Sequence, residues 1–152
     1  MENAFKVPSA VIVLLIKEAD GRKFVLCQRR KNTGFADGKL DFSCGGKVER
    51  GETMTAAAIR EAKEELGIVI DKSDLRFICL VHKCDAPCDL TLYNGYFIAE
   101  KYEGEPTVCE PQKCAEIGWY DIENLPSDVI DDRKEVLKQV KKGNAYLEYG
   151  WE

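Results

Sequence analysis

The chain has 152 residues, 45% hydrophobic and 32% charged, which is the balance of one ordinary globular domain spanning 1–152. Its net charge of −5 argues against a nucleic-acid polymer or an acidic membrane as partner, since both select a basic face. It leaves room for a phosphorylated small molecule, whose charge can be met by a metal ion and one or two basic side chains.

The first apolar run, Val7 to Ile16, contains Pro8, is too short to span a bilayer and has no small-residue cleavage pattern. The expected location is therefore cytoplasmic. Seven cysteines without a secretion signal favour reduced thiols over a disulfide framework. There is no CxxC pair and His82 is the only histidine, which argues against structural zinc.

In chain order, Ala10 to Ile16 is a continuous aliphatic run, as a buried strand requires. Asp20-Gly21 is a turn signal, and Phe24 to Gln28 returns as the second arm of a hairpin. That arm ends in Arg29-Arg30-Lys31. The run reads equally as a solvated flank or as a phosphate contact at the mouth of a site, with Arg29 the single best candidate. Lys31 to Lys39 is a polar loop. Phe35 at its middle is either a base-stacking platform or a loop anchor, the anchor being the commoner role. Leu40 to Cys44 is a short strand leading into Gly45-Gly46, where two glycines let the backbone approach another group closely.

A helix is expected over Thr53 to Leu66, capped by Thr53 or Thr55. Ala58, Ile59, Ala62 and Leu66 form its apolar stripe, and Gly67 is placed to end it in the left-handed conformation. Two strands follow, Leu75 to Lys83 and Leu90 to Ala99, joined by a turn over Asp85-Ala86-Pro87-Cys88. Asn94-Gly95 marks a bulge or a local kink in the second. Glu110 to Glu116 is a loop, Gly118 to Asp121 a short strand, and Val129 to Lys142 a closing amphipathic helix. The aromatic tail from Tyr146 to Trp151 either packs back on the domain or serves a dimer contact. Strands, helix, strands, helix is the order of an α/β protein with a mixed sheet and a helix on each face.

The helix carries the chemistry. Glu61, Glu64 and Glu65 stand at i, i+3 and i+4, which places their Cβ atoms roughly 5–6 Å apart on one face. Like charges so spaced destabilise a helix, and only Arg60 and Lys63 are near enough in sequence to soften this. A divalent cation relieves such a cluster, and Mg²⁺ is commonly held by a few carboxylates together with substrate phosphates.

What surrounds the cluster has a fixed spacing: Gly46, five residues, Glu52, seven residues, Arg60-Glu61-Ala62, then Glu64, Glu65, Gly67 and Ile68. This resembles the Nudix box, Gly-x5-Glu-x7-Arg-Glu-U-x-Glu-Glu-x-Gly-U with U aliphatic, and every fixed position is filled. A solvated run of surface glutamates would explain the acids but not the two glycines, Glu52 and Arg60. The stretch Glu110-Pro111-Gln112-Lys113-Cys114, with Trp119 and Leu125-Pro126 beyond it, is similar to a pattern of the MutT-like branch, as is Gly45-Gly46-Lys47. One departure is Cys44, where proline often precedes the two glycines.

The resemblance implies an α/β/α sandwich with a mixed central sheet. It also implies Mg²⁺-dependent hydrolysis of a nucleoside triphosphate, normal or oxidised, to the monophosphate and pyrophosphate, with Mn²⁺ as an alternative ion. The metal would lie among Glu61, Glu64, Glu65, the carbonyl of Gly46 and, from a loop, Glu110. Glu61 or Glu65 would act as general base, Arg60 would orient carboxylates, and Glu52 would anchor Arg60. Lys47 and Arg29 would meet phosphates. Phe35 and Asp131 would meet the base, although an acidic pair at Asp131-Asp132 is also what a helix N-terminus favours. Another diphosphate substrate (ADP-ribose, a dinucleoside polyphosphate, an isoprenoid diphosphate) remains the alternative within the resemblance. A non-catalytic sensor is a remoter one. A homodimer is an expectation carried by the relatives.

Overall fold

A computed structural model of the protein describes residues 1–85 and 90–151. The long hairpin forms as expected: β1 (Ser9–Ala19) turns at Asp20-Gly21, both at positive φ, into β2 (Arg22–Arg30). Next come β3 (Leu40–Phe42), β4 (Cys44–Lys47) and helix α1 (Met54–Leu66). They are followed by β5 (Leu75–Asp85), β6 (Leu90–Ala99), β7 (Cys114–Asp121), helix α2 (Asp131–Lys141) and β8 (Tyr146–Tyr149). The sheet has eight strands in the order β3-β2-β1-β6-β5-β8, with β4 also paired to β1 and β7 to β2. The β1–β6 and β5–β8 pairs are parallel and the rest antiparallel, so the sheet is mixed.

Each face of the sheet is covered by one helix. On one, Ala57, Ala58, Ala62 and Leu66 of α1 pack on Val11, Val13, Leu15, Phe97 and Ala99. On the other, Val136 of α2 packs on Leu14, Phe42, Val81 and Tyr96. Alternate residues of β1 serve the two cores, as the period of a strand dictates. Small residues on α1 bring its axis close to the sheet. Gly95 has the same effect from the sheet side, because a Cβ there would lie 2.6 Å from the Met54 sulfur. Thr53 caps α1 through the N–H of Ala56, and Gly67 closes it at φ 71° with its N–H on the Lys63 carbonyl.

Four local expectations change. The strand expected over Leu40 to Cys44 divides at Ser43, and the two glycines lie inside β4 rather than beyond a strand. Asn94-Gly95 is in regular register with both β1 and β5, and the irregularity lies instead between Phe77 and Cys79 of β5. The strand expected from Gly118 begins at Cys114, and the closing helix begins at Asp131 while Val129 is buried ahead of it. The turn expected over Asp85 to Cys88 falls, from Ala86 onward, outside the described residues. The aromatic tail packs back on the domain. β8 extends the sheet, and Trp151 lies tilted against the His82 ring, centroids 4.7 Å apart, and donates from its indole Nε1 to the His82 carbonyl at 2.9 Å.

No described helix is long and apolar enough to cross a membrane. The six described cysteines are free thiols. Four of them, Cys27, Cys44, Cys79 and Cys114, are buried, and burial pushes the Cys27 thiol up to about 12, so it stays protonated and unreactive at neutral pH.

Ser43 closes a gap in the hydrogen-bond ladder. Along one edge, β1 pairs with β4 as far as Val13 and with β2 from Ile16. Between them the Leu15 N–H donates to Ser43 Oγ at 2.8 Å, and Ser43 Oγ donates to the Leu26 carbonyl at 2.7 Å. The hydroxyl is fully buried and answers one donor and one acceptor that the fork leaves without strand partners. Ser43→Ala should therefore lower unfolding stability by about 1–3 kcal/mol, the cost of leaving buried polar groups unpaired. Urea denaturation of the variant against the parent checks this.

Candidate active site

The carboxylate cluster is assembled around Arg60. Its guanidinium donates to both oxygens of Glu52, from Nε at 3.0 Å and Nη2 at 2.7 Å. Nη1 reaches Glu61 at 2.6 Å and Glu64 at 3.4 Å, and Nη2 reaches the Lys47 carbonyl at 3.0 Å. One side chain thus ties the strand β4, the loop after it and the helix α1 together. The bidentate grip holds the Glu52 carboxyl down to about 2. Glu52 is also fixed from behind by the Glu49 N–H at 2.9 Å.

Glu61 and Glu65 face β4. A Cβ on Gly46 would run into the Glu61 carboxylate, so only glycine lets the strand come this close. Glu65 accepts from the Gly45 N–H at 2.9 Å. Burial, with the nearby charges of Glu61, Glu110 and Asp41, pushes the Glu65 carboxyl up to about 8 despite that bond. Burial also raises Glu61, though Arg60 partly offsets it. Glu64 is turned to solvent, with its side chain 53% exposed. Glu110 is brought beside Glu65 because its loop is pinned to the end of α1. The Thr107 and Cys109 N–H groups donate to the carbonyls of Leu66 and Glu65, which would otherwise be orphaned at the helix C-terminus.

Among the described residues no three His, Cys, Asp or Glu side chains already form a metal cage. The donor set nevertheless fits a hard divalent ion. It is all oxygen, it presses two acids together against their own ionisation, and it borders a backbone with no Cβ in the way.

Beyond Gly45, Gly46 and Lys47 opens a cavity of about 390 Å³ on the α2 face of the sheet. Its floor is Ala10, Ile12, Leu92 and Asn94, and Phe35 stands at its wall. Phe35 is held over it by a loop closed on Asp37, which accepts from Thr33 and Gly34, and by Arg30 Nε on the Phe35 carbonyl. The ring has the cationic ends of Lys83, Arg30 and Arg133 at 4.9, 5.2 and 5.8 Å from its centroid. Its carbonyl is tied down, as a loop anchor requires, and its ring lines the cavity.

Behind the ring lies a buried ionic network. Asp41 pairs with Arg133 at 2.8 Å and Arg30 at 2.9 Å, and Asp132 pairs with Lys83 at 3.0 Å and Arg133 at 3.1 Å. The Tyr96 hydroxyl accepts from Arg133 at 3.2 Å. Burial alone would raise the Asp41 carboxyl, but the two guanidiniums outweigh it and hold it below the usual range.

Two expected residues are displaced by one position each. Arg29 does not line the cavity; its guanidinium is tied to Asp128 at 2.7 Å, Glu116 at 2.9 Å and the Gly38 carbonyl. A register shift between Arg29 and Arg30 against β7 re-aims the next side chain, and Arg30 is the one that reaches the cavity. Asp131 points to solvent, 76% exposed and near Lys134, while Asp132 is buried in the network. Lys47 borders the cavity. Asp41, Lys83 and Arg133 carry no site role on sequence grounds, and Asn94 stands out there only as a bulge or kink. Of these only Asp41, between Leu40 and Phe42, is a charge set inside an apolar stretch.

A family model describing the NUDIX domain matches residues 6–140. The chain is 33% identical over 119 residues to a Danio rerio protein named oxidized purine nucleoside triphosphate hydrolase, covering 78% of this chain and 70% of that one. It is 29% identical over 133 residues to the Escherichia coli 8-oxo-dGTP diphosphatase, covering 87% and 95%. A MutT NUDIX hydrolase structure from Burkholderia pseudomallei superposes with a TM-score of 0.76 at 28% identity, covering 90% and 99%.

Arg133→Met should cost about 3–5 kcal/mol at neutral pH by leaving buried carboxylates short of their partner. The sign with pH follows from Asp41. Its lowered carboxyl gives stability that is present above the unfolded-state value of about 4 and is lost as pH falls through the lower folded value. The gap between parent and variant should therefore narrow in acid, and should narrow at pH 7 when Asp41→Asn is added. Urea melts across pH check both.

Proposed function

The chain belongs to the NUDIX family of hydrolases, and we propose that it cleaves a nucleoside triphosphate, normal or oxidised in its base, to the monophosphate and pyrophosphate. The observation that carries this reading is the junction at Gly45–Lys47. On one side stand Glu61 and Glu65, forced together and raised, and on the other an aromatic-walled cavity of the size of a base. A triphosphate lying along that edge places its anhydride at the acids and its base against Phe35. The names of the Danio rerio and Escherichia coli relatives support the same substrate class.

Glu61, Glu64 and Glu65, with the Gly46 carbonyl and Glu110 from its loop, would hold Mg²⁺ or Mn²⁺. Bound there, a divalent ion supplies charge neutralisation for the anhydride oxygens and a more acidic water. The protein's own groups do the rest. Glu61 and Glu65, both against the Gly45–Gly46 backbone, are the two groups able to take the water's proton at a carboxylate. Arg60 sets the Glu61 carboxylate through its 2.6 Å contact and is itself set by Glu52. Lys47, exposed beside the glycines, is free to meet the phosphates.

The test is a panel under Mg²⁺: normal and oxidised (deoxy)nucleoside triphosphates, ADP-ribose and a dinucleoside polyphosphate, with products separated by chromatography. Monophosphate and pyrophosphate release should fall by about 100-fold or more in Glu65→Gln, with an unchanged melting temperature or a raised one. Turnover of ADP-ribose or the dinucleotide alone would replace the substrate. Nucleotide binding with no turnover would replace the enzyme by a sensor.

A further inference from the structure

On the apolar floor of the cavity one polar group stands without a partner among the described residues. Asn94, in β6, lies between Ala10 of β1 and Val81 of β5 in the sheet and is 4% exposed. Its Oδ1 is buried with no hydrogen-bond partner among the described residues. Its side chain shares the α2 face with Leu92 and Tyr96, two residues away on either side along the strand, and it borders the cavity directly. Buried amides are nearly always paired, and an unpaired one calls for an explanation. Packing does not supply it, since an apolar side chain of the same size would fill the floor without an orphaned oxygen.

We infer that Asn94 is a specificity-determining residue that reads the edge of the group entering this cavity. A carboxamide offers a donor and an acceptor side by side, and it pairs in two bonds with a base edge that presents an acceptor next to a donor. The class of ligand is thus a nucleobase bearing an exocyclic amino or oxo group beside a ring nitrogen. The ring lies against Phe35 and its edge is directed to the floor. A base without such an edge leaves the amide unpaired, which is how a built polar site rejects an analogue. The charges nearest the floor are paired with one another: Lys83 with Asp132 and Asp85, Arg133 with Asp132 and Asp41, and Arg30 with Asp41. The inference rests on the nucleotide reading of the site above.

The experiment compares kcat/KM for adenosine, guanosine and 8-oxo-purine triphosphates with that for unsubstituted purine riboside triphosphate, which keeps the ring and phosphates but has no exocyclic group. The parent enzyme should favour its best substituted base over bare purine by about 10-fold or more. In Asn94→Leu that preference should collapse, because kcat/KM for the substituted bases falls further than kcat/KM for the bare purine nucleotide. Asn94→Asp, an acceptor-only variant of the same shape, should re-rank the bases toward those presenting amino donors. Calorimetric binding of the matching monophosphates in EDTA should show the same order without turnover. Melting curves confirm that both variants fold.

A preference that survives both variants overturns the inference, and so does an equal loss on every substrate, bare purine included. Absence of turnover on all nucleotides in the parent overturns the nucleotide reading itself, which is a different pattern from either.

Discussion

The architecture depends on β1 changing partners along one edge. Antiparallel pairing with β4 ends at Val13 and pairing with β2 begins at Ile16, so the two neighbours splay apart. Two buried backbone groups are left at the fork, and unpaired groups there would be costly. Ser43 satisfies both through one hydroxyl. The splay is also what makes the site. β4 is released toward α1, where its glycines meet Glu61 and Glu65, while β2 and β3 carry Arg30 and Asp41 toward the other face.

Arg60 resolves a conflict that the helix creates. Three glutamates within five residues repel one another, and burial worsens the repulsion for Glu61 and Glu65. Arg60 is itself on the helix and cannot leave, and its fork spans Glu52, Glu61 and the Lys47 carbonyl. Glu52 is therefore needed more for Arg60 than for substrate, because a guanidinium with one face held bidentately has a single remaining direction. The residual strain falls on Glu65, which keeps a proton more readily than any ordinary carboxyl. That strain is unhelpful to folding and useful to a site that must bind cations or accept protons.

The sequence made some of this legible because the signals were local. The α1 helix has a cap, a stripe of small apolar residues and a glycine stop, and each is read within a few positions. The spacing from Gly46 to Gly67 is likewise contained in one stretch. What failed was parity and long-range pairing. Arg29 and Arg30 differ by one residue, and along a strand one residue changes the face; a register shift found only in the pairing with β7 decided between them. Asp131 and Asp132 divided in the same way at the start of α2. Asp41, Lys83 and Arg133 come from three separate elements, and each is a charge that only its partners make tolerable inside. No local pattern announces such a partnership.

The two faces of the sheet then have separable duties. The carboxylates hang from α1, and the cavity lies on the side of α2. The glycines of β4 are the edge they share, and Lys47 stands at its end. A change at Asn94, Leu92 or Phe35 alters what fits in the cavity without touching Arg60 or the acids it orders. A change at Glu52 or Gly46 damages the acids while leaving the cavity floor in place. The ionic network interleaves Arg30, Lys83 and Arg133 with Asp41, Asp85 and Asp132, so the cavity has a polar back in which cations and anions balance. Selection there is consequently a matter of shape and of hydrogen bonds. On an apolar floor with one unpaired amide, the hydrogen-bonding term rests chiefly on a single side chain.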